Sequence, residues 1–386
     1  MNVLGRSDVV VVGAGVIGLA TAFRLLQRGR SVIVVERDLP AAGSSGVAAG
    51  MLAPICEAED SPDCLIEFGQ RSLAGYPTFV REVEELSGRD AGYRDEGTLW
   101  VALNRDDRME LERLQRRLQD RDLAVEPLDR DRLQQLEPHL SPRVVRAFRV
   151  AGDHQVEPKA LVTALQQAIQ RLGGKFLCPG DVAAVETDPS GAVCGVRLRE
   201  QNDHDVHLAC DQVVIAAGAW SSDGIRMPDG GESLPIRPVK GQILRLRGEP
   251  LIEHVIRTPD VYLVPRRDGR LIIGATVEEM GFDDAPSAGA TMDLLRHGWE
   301  VLPGSYDLEF QAVDVGFRPA SSDHLPVIGR GSIDGLWWAT GHYRNGILLA
   351  PATADALAES IVAGAPVDEL ADFDPQRALE HEEIGS

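Results

Sequence analysis

The stretch that decides the fold is Val9-Val10-Val11-Val12-Gly13-Ala14-Gly15-Val16-Ile17-Gly18, near the start of the sequence. Its four β-branched residues predict a buried strand, the glycines predict a tight turn, and residues 19–26 predict a helix. A second apolar run at 31–35 predicts the next strand and ends beside Glu36. This order of strand, glycine turn, helix, strand and acid is typical of a unit that binds a dinucleotide at the helix N-terminus.

Each of the three glycines has a predicted structural role in that unit. Gly13 permits the turn, Gly15 lets the main chain approach a pyrophosphate, and Gly18 lets the helix lie close to the strands. Glu36 is placed to accept hydrogen bonds from an adenosine ribose, and its charge argues against a 2′-phosphate. The alternative is a glycine-rich connection between strand and helix that binds no ligand.

The bulk composition limits the functional classes. A chain of 386 residues exceeds the usual limit of a single core and predicts two domains. The net charge of −21 disfavours nucleic acid as a partner, because a phosphate backbone would be repelled. Five cysteines without a CxxC pair predict reduced thiols and a cytoplasmic protein. No run reaches the ~20 apolar residues of a membrane span, and the nine histidines lack the spacing of a metal site.

Two later segments resemble the opening unit. Residues 212–221 run from a buried strand into a glycine turn at Gly218. Residues 335–346 predict a strand and a glycine-bounded loop, ahead of a helix at about 352–363. Because both segments lie far along the chain, the nucleotide-binding domain is predicted to be discontinuous. A second helix N-terminus, with its partial positive charge, would then face the same ligand.

The segments in between predict a second sheet. Residues 92–103, 235–246 and 261–276 alternate polar and apolar side chains, and the last of them turns at 267–269. The predicted fold class is therefore mixed α/β, with a discontinuous Rossmann-like domain and a second domain built on an antiparallel sheet. Helices are expected at about 61–87, 106–122 and 161–172, and a further strand near 182–186.

The discontinuous layout favours FAD over a nicotinamide cofactor, because nicotinamide dehydrogenases usually keep the dinucleotide-binding half contiguous. Six motifs carry a resemblance to a known family: 44–54 (SSGVAAGMLAP), 238–242 (PVKGQ), 262–266 (YLVPR), 274–279 (GATVEE), 316–319 (GFRP) and 341–351 (GHYRNGILLAP). In these motifs and their order, the chain resembles the D-amino-acid oxidase (DAO) superfamily of FAD-dependent oxidoreductases, and within it the glycine oxidases of the ThiO type. The resemblance covers essentially the whole sequence.

The patterns and the resemblance together divide the chain into two domains. The FAD-binding domain takes residues 1–60, 152–226 and 312–386, and the substrate-binding domain takes residues 61–151 and 227–311. The resemblance implies that FAD is held non-covalently. Related sarcosine oxidases attach their flavin through a cysteine in the C-terminal third, and this sequence has no cysteine after Cys210, which excludes that route.

By matching position, the resemblance assigns FAD contacts along the chain. Backbone N–H groups near the last helix would stabilise negative charge on the flavin edge. The implied contacts are Gly13, Gly15, Val16, Ile17 and Gly18 at the pyrophosphate; Glu36 and Arg37 at the adenosine; Ser44, Ser45, Ala49, Gly50 and Met51 at the flavin; the main chain of Val182 at the adenine; Gly218 in the second glycine turn; and His342, Tyr343, Arg344, Asn345, Gly346, Ile347 and Leu348 around the isoalloxazine.

A small amino acid offers a carboxylate and an amine, and the resemblance implies a residue for each. Arg318 would grip the carboxylate in a planar fork, Tyr262 would add its hydroxyl, and Arg344 would present its main-chain carbonyl to the amine. The alternatives are a surface salt bridge for Arg318 and a hairpin core aromatic for Tyr262. His342 is expected to be a hydrogen-bonded or flavin-facing histidine rather than a base.

The implied activity is FAD-dependent oxidation of glycine, and of small amines or D-amino acids. A hydride would pass from Cα to flavin N5 without a general base, and oxygen would be reduced to hydrogen peroxide. The imine would give glyoxylate and ammonia, or feed thiazole formation for thiamine. A D-amino-acid or sarcosine oxidase, a dehydrogenase that passes electrons to a quinone, and a flavin-binding subunit without turnover stay open as alternatives. The resemblance also suggests a homotetramer.

Overall fold

The computed structural model describes residues 2–54, 62–121, 123, 125–199, 206–228, 231 and 233–383. The opening unit forms as predicted, with a strand at Asn2–Val12, a helix at Val16–Gln27 and a strand at Val32–Val35. The two strands pair in parallel. The Gly13 N–H donates to the Val35 carbonyl at 2.8 Å and so closes the glycine turn.

The strands fall into two large sheets and one small pair. In chain order they are β1 (Asn2–Val12), β2 (Val32–Val35), β3 (Met51–Leu52), β4 (Thr98–Ala102), β5 (Glu126–Leu128), β6 (Arg146–Val150), β7 (His154–Gln155), β8 (Lys175–Leu177), β9 (Asp181–Thr187), β10 (Val193–Arg199), β11 (Val206–Ile215), β12 (Arg237–Arg247), β13 (Val255–Arg257), β14 (Tyr262–Pro265), β15 (Arg270–Gly274), β16 (Glu309–Ala320), β17 (Val327–Arg330) and β18 (Leu336–Thr340).

The helices of the described residues pack on both large sheets. They are α1 (Val16–Gln27), α2 (Ser44–Val47), α3 (Asp63–Ser87), α4 (Arg105–Asp120), α5 (Arg130–Leu136), α6 (Pro158–Arg171), α7 (Ala288–Val301), α8 (Gly346–Ala363) and α9 (Pro375–Glu383), with 3₁₀ turns at Gly218–Trp220, Pro303–Asp307 and Asp368–Phe373. The predicted helices over 61–87 and 106–122 correspond to α3 and α4. Residues 61 and 122 lie outside the described part of the chain.

The first sheet has the order β17-β18-β11-β1-β2-β8, and β10 and β9 attach beside β11. Its central strands β18, β11, β1, β2 and β8 are parallel, as the Rossmann-like pattern predicts. The second sheet has the order β16-β12-β15-β14-β13-β4-β6-β5 and is antiparallel except where β13 meets β4. The mixed α/β fold class is thus confirmed. The domain boundaries stay a prediction, and β16 runs across the one at 311/312.

The start of α8 differs from the prediction. The expected start was near residue 352, but α8 begins at Gly346 and continues through Pro351. Proline lacks an N–H and cannot bond to the carbonyl of Ile347, four residues earlier. The Tyr76 hydroxyl donates to that carbonyl at 3.0 Å instead, and the Ser72 hydroxyl donates to the next one, on Leu348, at 2.6 Å. Both donors lie on α3, so tertiary contacts extend the helix.

The helix α8 is also long and apolar enough, by length and composition, to cross a membrane, with a mean hydropathy of 1.4. In the folded chain 67% of it is buried. It packs against α1 and α3 in the largest hydrophobic cluster of the protein. Core packing therefore accounts for its apolar side chains.

Candidate active site

One cavity of about 690 Å³ collects residues from both large sheets. Every residue predicted to contact the cofactor or the substrate lines it, except Gly18. Those residues come from segments that are more than 300 positions apart in sequence, and the fold brings them together. Their individual roles remain predictions, which the following geometry supports residue by residue.

The glycines of the opening turn leave room for different neighbours. A Cβ at Gly13, where φ is +107°, would lie 2.5 Å from the Ala216 carbonyl oxygen, and a Cβ at Gly18 would lie 2.1 Å from the Gly13 carbonyl oxygen. Both glycines therefore allow main chain to approach main chain. A Cβ at Gly15 would meet the Ser45 hydroxyl at 3.3 Å among the described atoms. Gly15 thus faces the cavity, where a ligand can approach the start of α1.

Glu36 fixes this end of the cavity through its carboxylate. Its two oxygens accept the N–H groups of Ala14 at 2.7 Å and Asp38 at 2.9 Å. A carboxylate offers about four acceptor positions, so these bonds leave capacity for ribose hydroxyls. The Ser45 hydroxyl accepts the N–H of Val16 at 3.0 Å at the helix N-terminus.

Aromatic side chains flank the region predicted to hold the adenosine. The guanidinium of Arg37 lies 5.1 Å from the ring centroid of Trp220, which follows the glycine turn at Gly218. Trp220 stacks on Phe282 at 5.2 Å and meets Phe317 edge-on at 6.1 Å. The composition of the turn after β11 did not predict this cluster, because two of its members come from the second sheet and the segment after β15.

The segment 44–51 is tied to both sheets. The Ser44 hydroxyl donates to the Phe317 carbonyl, and the Ala49 carbonyl accepts from the buried guanidinium of Arg266. Burial lowers the pKa of Arg266 to about 10, so it stays a cation at neutral pH. Met51 pairs with Gln155 in the small sheet β3–β7. These contacts hold the backbone that the resemblance assigns to the flavin.

The opposite wall is the turn at 341–345 that leads into α8, here called the flavin wall because the resemblance assigns it to the flavin. His342 is buried, and its Nε2 lies 3.1 Å from the Thr353 hydroxyl. Burial lowers the pKa of His342 to about 3, so the ring is neutral at working pH. The first residues of α8, Gly346, Ile347 and Leu348, line the cavity. The partial positive charge of this helix N-terminus therefore lies at the cavity.

Arg318 lies on β16 opposite Val239 of β12. Its Nη1 donates to the Thr276 carbonyl at 3.0 Å and lies 3.4 Å from the Lys240 carbonyl. A Cβ at Gly241 would come within 2.5 to 2.7 Å of the guanidinium atoms. The missing side chain at Gly241 therefore provides the space in which Arg318 lies.

Tyr262 has a similar arrangement on β14. A Cβ at Gly274 of β15 would lie 2.4 Å from the Tyr262 hydroxyl, so this glycine makes room for the phenol. Across the sheet, Tyr262 pairs directly with Arg257 of β13. Arg257 also lines the cavity and stacks over Trp100 at 4.8 Å. Sequence reasoning missed Arg257, and its signal was the apolar pair Val255-Ile256 that precedes it.

Arg344 lies in the turn that leads into α8 and lines the same cavity as Arg318. Its guanidinium stacks on Tyr343 at 5.3 Å, and Tyr343 stacks in turn on His324 at 4.4 Å. The Tyr343 N–H donates to the Pro319 carbonyl at 2.8 Å and links this turn to the residue after Arg318. Within the described residues no group of three His, Cys, Asp or Glu side chains could hold a metal ion.

Comparison with known proteins gives a consistent result. A family model described as FAD dependent oxidoreductase (DAO) matches residues 8–360. The glycine oxidase of Geobacillus kaustophilus is 33% identical over 379 residues, which cover 97% of this chain and 98% of that protein. A crystal structure of glycine oxidase from that organism superposes with a TM-score of 0.86 at 32% identity, covering 96% of this chain and 99% of the other.

A second kind of relative is longer. The bifunctional protein ThiO/ThiG of Trichormus variabilis is 35% identical over 364 residues, which cover 92% of this chain and 52% of that protein. The chain thus spans about half the length of these relatives.

Proposed function

The chain belongs to the DAO family of FAD-dependent oxidoreductases, and from this premise we propose that it oxidises glycine and related small amines with non-covalently bound FAD. One observation carries the proposal. The residues expected to hold the dinucleotide and those expected to hold a carboxylate line a single cavity. A glycine bound to Arg318 would therefore share that cavity with the flavin ring.

The chain's own residues fit FAD. Gly15 opens the start of α1 to a pyrophosphate, Glu36 keeps acceptor capacity for a ribose, and α8 directs a second helix N-terminus at the cavity. Its described cysteines, Cys64, Cys178, Cys194 and Cys210, are outside the cavity lining, which supports non-covalent binding. When bound, FAD supplies the acceptor for a hydride from the substrate Cα and passes the electrons to oxygen, which leaves an imine and hydrogen peroxide.

The protein's contribution at the substrate end is positioning. Arg318 binds the carboxylate, the Tyr262 hydroxyl adds a hydrogen bond, and the Arg344 carbonyl accepts from the amine. The neutral amine supplies the electrons that make hydride loss favourable. To give this neutral amine, the substrate's ammonium group must first release a proton, which passes to solvent. His342 cannot accept that proton at neutral pH, because burial lowers its pKa to about 3 and Nε2 faces Thr353. No side chain is therefore assigned as a general base.

The imine then hydrolyses to glyoxylate and ammonia, or enters thiazole formation for thiamine. The similarity to ThiO/ThiG proteins supports the second fate. We further propose that the protein works in the cytoplasm, as five cysteines without a CxxC pair suggest, and as a homotetramer, as the resemblance suggests.

The decisive experiment is a substrate panel with the FAD-loaded protein. Peroxide release is measured with glycine, sarcosine, D-alanine and D-proline, and loss of flavin absorbance is followed with each under anaerobic conditions. We expect glycine to bleach the flavin and to release peroxide. Bleaching without peroxide would identify a dehydrogenase, and a flavin that none of the four compounds reduces would overturn the proposal.

A further inference from the structure

The motif 238–242 contains a buried cation that the proposed reaction does not use. The chain has three lysines, of which Lys159 and Lys175 are exposed, whereas Lys240 is 1% exposed. Burying an ammonium group is costly unless the group is paired and hydrogen-bonded. The partners of Lys240 therefore show what its charge holds.

Those partners lie in the segment that joins β15 to α7, residues 275–287, here called the cover segment. The Lys240 Nζ donates to the Asp283 carboxylate at 2.9 Å and to the Ala285 carbonyl at 2.6 Å. The main chain of Lys240 also exchanges two hydrogen bonds with Glu278, each 3.0 Å long. One lysine thus holds the cover segment near its start and near its end.

Gln242 holds the same segment. It is fully buried, its amide N–H donates to the Glu278 carboxylate at 2.7 Å, and its amide oxygen accepts the Ser287 N–H at 2.9 Å. Successive side chains of a strand point to opposite faces. Lys240 and Gln242 therefore face the cover segment, whereas Gly241 and Ile243 between and beyond them line the cavity.

The cover segment is part of the cavity wall. The Thr276 carbonyl accepts from the guanidinium of Arg318 at 3.0 Å, and Val277 lines the cavity. Further along, Phe282 stacks on Trp220 across the cavity's adenosine side. A displacement of this segment would move an acceptor of Arg318 and loosen the aromatic contact.

We propose that Lys240, assisted by Gln242, is a positioning residue that fastens the cover segment through Asp283 and Ala285, and so fixes the Thr276 carbonyl that orients Arg318. Its kinetic consequence rests on the proposed function, whereas the fastening itself does not. Two measurements separate these parts.

The first measurement needs no turnover. FAD-loaded wild type and Lys240→Met are digested briefly with chymotrypsin, and the fragment ending at Phe282 is quantified by mass spectrometry. We expect Lys240→Met to be cut there about tenfold faster, because the segment loses two hydrogen bonds and its ion pair. Lys159→Met, at an exposed lysine, should match wild type. Equal cutting of Lys240→Met and wild type would overturn the proposal.

The second measurement is kinetic. Lys240→Met and Asp283→Asn should each raise the KM for glycine about tenfold, with kcat and FAD content nearly unchanged, because Arg318 is misoriented but present. Asp283 is half exposed, so its variant tests the contact even if Lys240→Met fails to fold. The double variant should be no worse than Lys240→Met alone, because the contact between Lys240 and Asp283 is already lost in that single variant. Asp293→Asn, at an exposed carboxylate of α7, is the matched control.

The two proposals fail differently. If FAD-loaded wild type leaves glycine unchanged, the proposed function is wrong, and the chymotrypsin comparison still decides the fastening. If wild type oxidises glycine but the two variants keep wild-type KM, or their effects simply add, Lys240 is not the positioning residue described here.

Discussion

The two ends of the cavity differ in whether main chain or side chains form their binding groups. The end expected to hold the pyrophosphate, here called the pyrophosphate end, is mostly main chain, drawn from β1, α1 and β2 within residues 12–36. Gly13 and Gly15 keep side chains away there, and the Glu36 carboxylate accepts the Ala14 N–H. The end expected to hold the substrate, here called the substrate end, presents the side chains of Arg318 and Tyr262, which lie on β16 and β14 of the second sheet. Arg318 and Tyr262 lie there in spaces that glycines on neighbouring strands leave open.

This difference predicts that substitutions at the two ends affect different properties, FAD binding at one and the KM for glycine at the other. A main-chain site is lost when a side chain is added, because the backbone and the ligand compete for the same space. A side-chain site is weakened when a side chain is removed, and the rest of the cavity keeps its shape. Substitutions at the first end should therefore abolish FAD binding, whereas those at the second should raise the KM for glycine and leave the flavin in place.

The largest effect is expected from Gly15→Val. Its Cβ would meet the Ser45 hydroxyl at 3.3 Å, a tight contact with a single side-chain atom, and a shift of a few tenths of an ångström in that side chain would relieve it, so the chain should fold. The added methyl groups would occupy the space in which the pyrophosphate approaches α1, and FAD binding should be lost. The measurement is flavin absorbance after reconstitution and the Tm without FAD. Gly75→Ala, in open space on α3, is the control. A yellow Gly15→Val protein would contradict the main-chain account of this end.

The next effect is expected from Arg318→Ala. Removing the guanidinium takes away charge-assisted hydrogen bonds to the substrate carboxylate, which should raise the KM for glycine about 100-fold. FAD content should stay at the wild-type level. Arg330→Ala, at an exposed arginine paired with Asp334, is the matched control and should behave as wild type. If Arg318→Ala kept the wild-type KM, or if it lost FAD, the assignment of FAD binding to one end and substrate binding to the other would be wrong.

The pyrophosphate end could be predicted from sequence because its determinants are local. β1, the glycine turn, α1 and β2 follow one another, and the hydrophobic pattern alone distinguishes strand from helix. The antiparallel character of the second sheet was predicted from alternation in 235–246 and 261–276, which correspond to β12 and the β14–β15 hairpin. The short strands β5 and β6 were missed because their pairing partners are distant in sequence. Strand β13 was missed because it has only three residues, Val255–Arg257, although its partner β14 follows it directly.

Neither the start of α8 nor the role of the motif 238–242 (PVKGQ) could be predicted from the sequence, because both depend on contacts between residues that are distant in the chain. Helix α8 passes Pro351 because Ser72 and Tyr76, more than 270 positions earlier, bond its carbonyls. Lys240 gains its contacts only when the cover segment folds over β12. The motif was recognised by resemblance, but its chemistry depends on tertiary contacts that no local pattern encodes.

A third prediction concerns acid stability at the flavin wall. Burial lowers the folded-state pKa of His342 to about 3, below its ordinary 6.5. The unfolded chain therefore binds a proton that the folded chain does not, so stability is full above pH 6.5 and falls as the pH drops toward 3. The loss from this residue is about 2 kcal/mol at pH 5.

The test compares Tm with pH for wild type and His342→Gln. Glutamine cannot titrate but can still bond to Thr353, so the variant's Tm should fall less steeply between pH 6.5 and 4. If the Tm of the two proteins fell equally steeply with decreasing pH, other groups would be the cause of the lower stability in acid. Unlike Gly15→Val, this change tests the flavin wall through stability rather than through ligand fit.

The smallest of these effects, and the one that tests the comparison most sharply, is expected from Gly241→Ala. At Gly15 the absent side chain leaves room for a ligand, whereas at Gly241 it leaves room for Arg318, whose guanidinium atoms lie 2.5 to 2.7 Å from the position of an added Cβ. One methyl group should displace that guanidinium and raise the KM for glycine about tenfold while FAD stays bound. Gly289→Ala, in open space on α7, should leave the KM unchanged. In an Arg318→Ala background, Gly241→Ala should add nothing further, because the group that it displaces is gone. A full tenfold rise in that background would show that the methyl group acts through β12 itself, and the substrate end would then depend on main chain as the pyrophosphate end does.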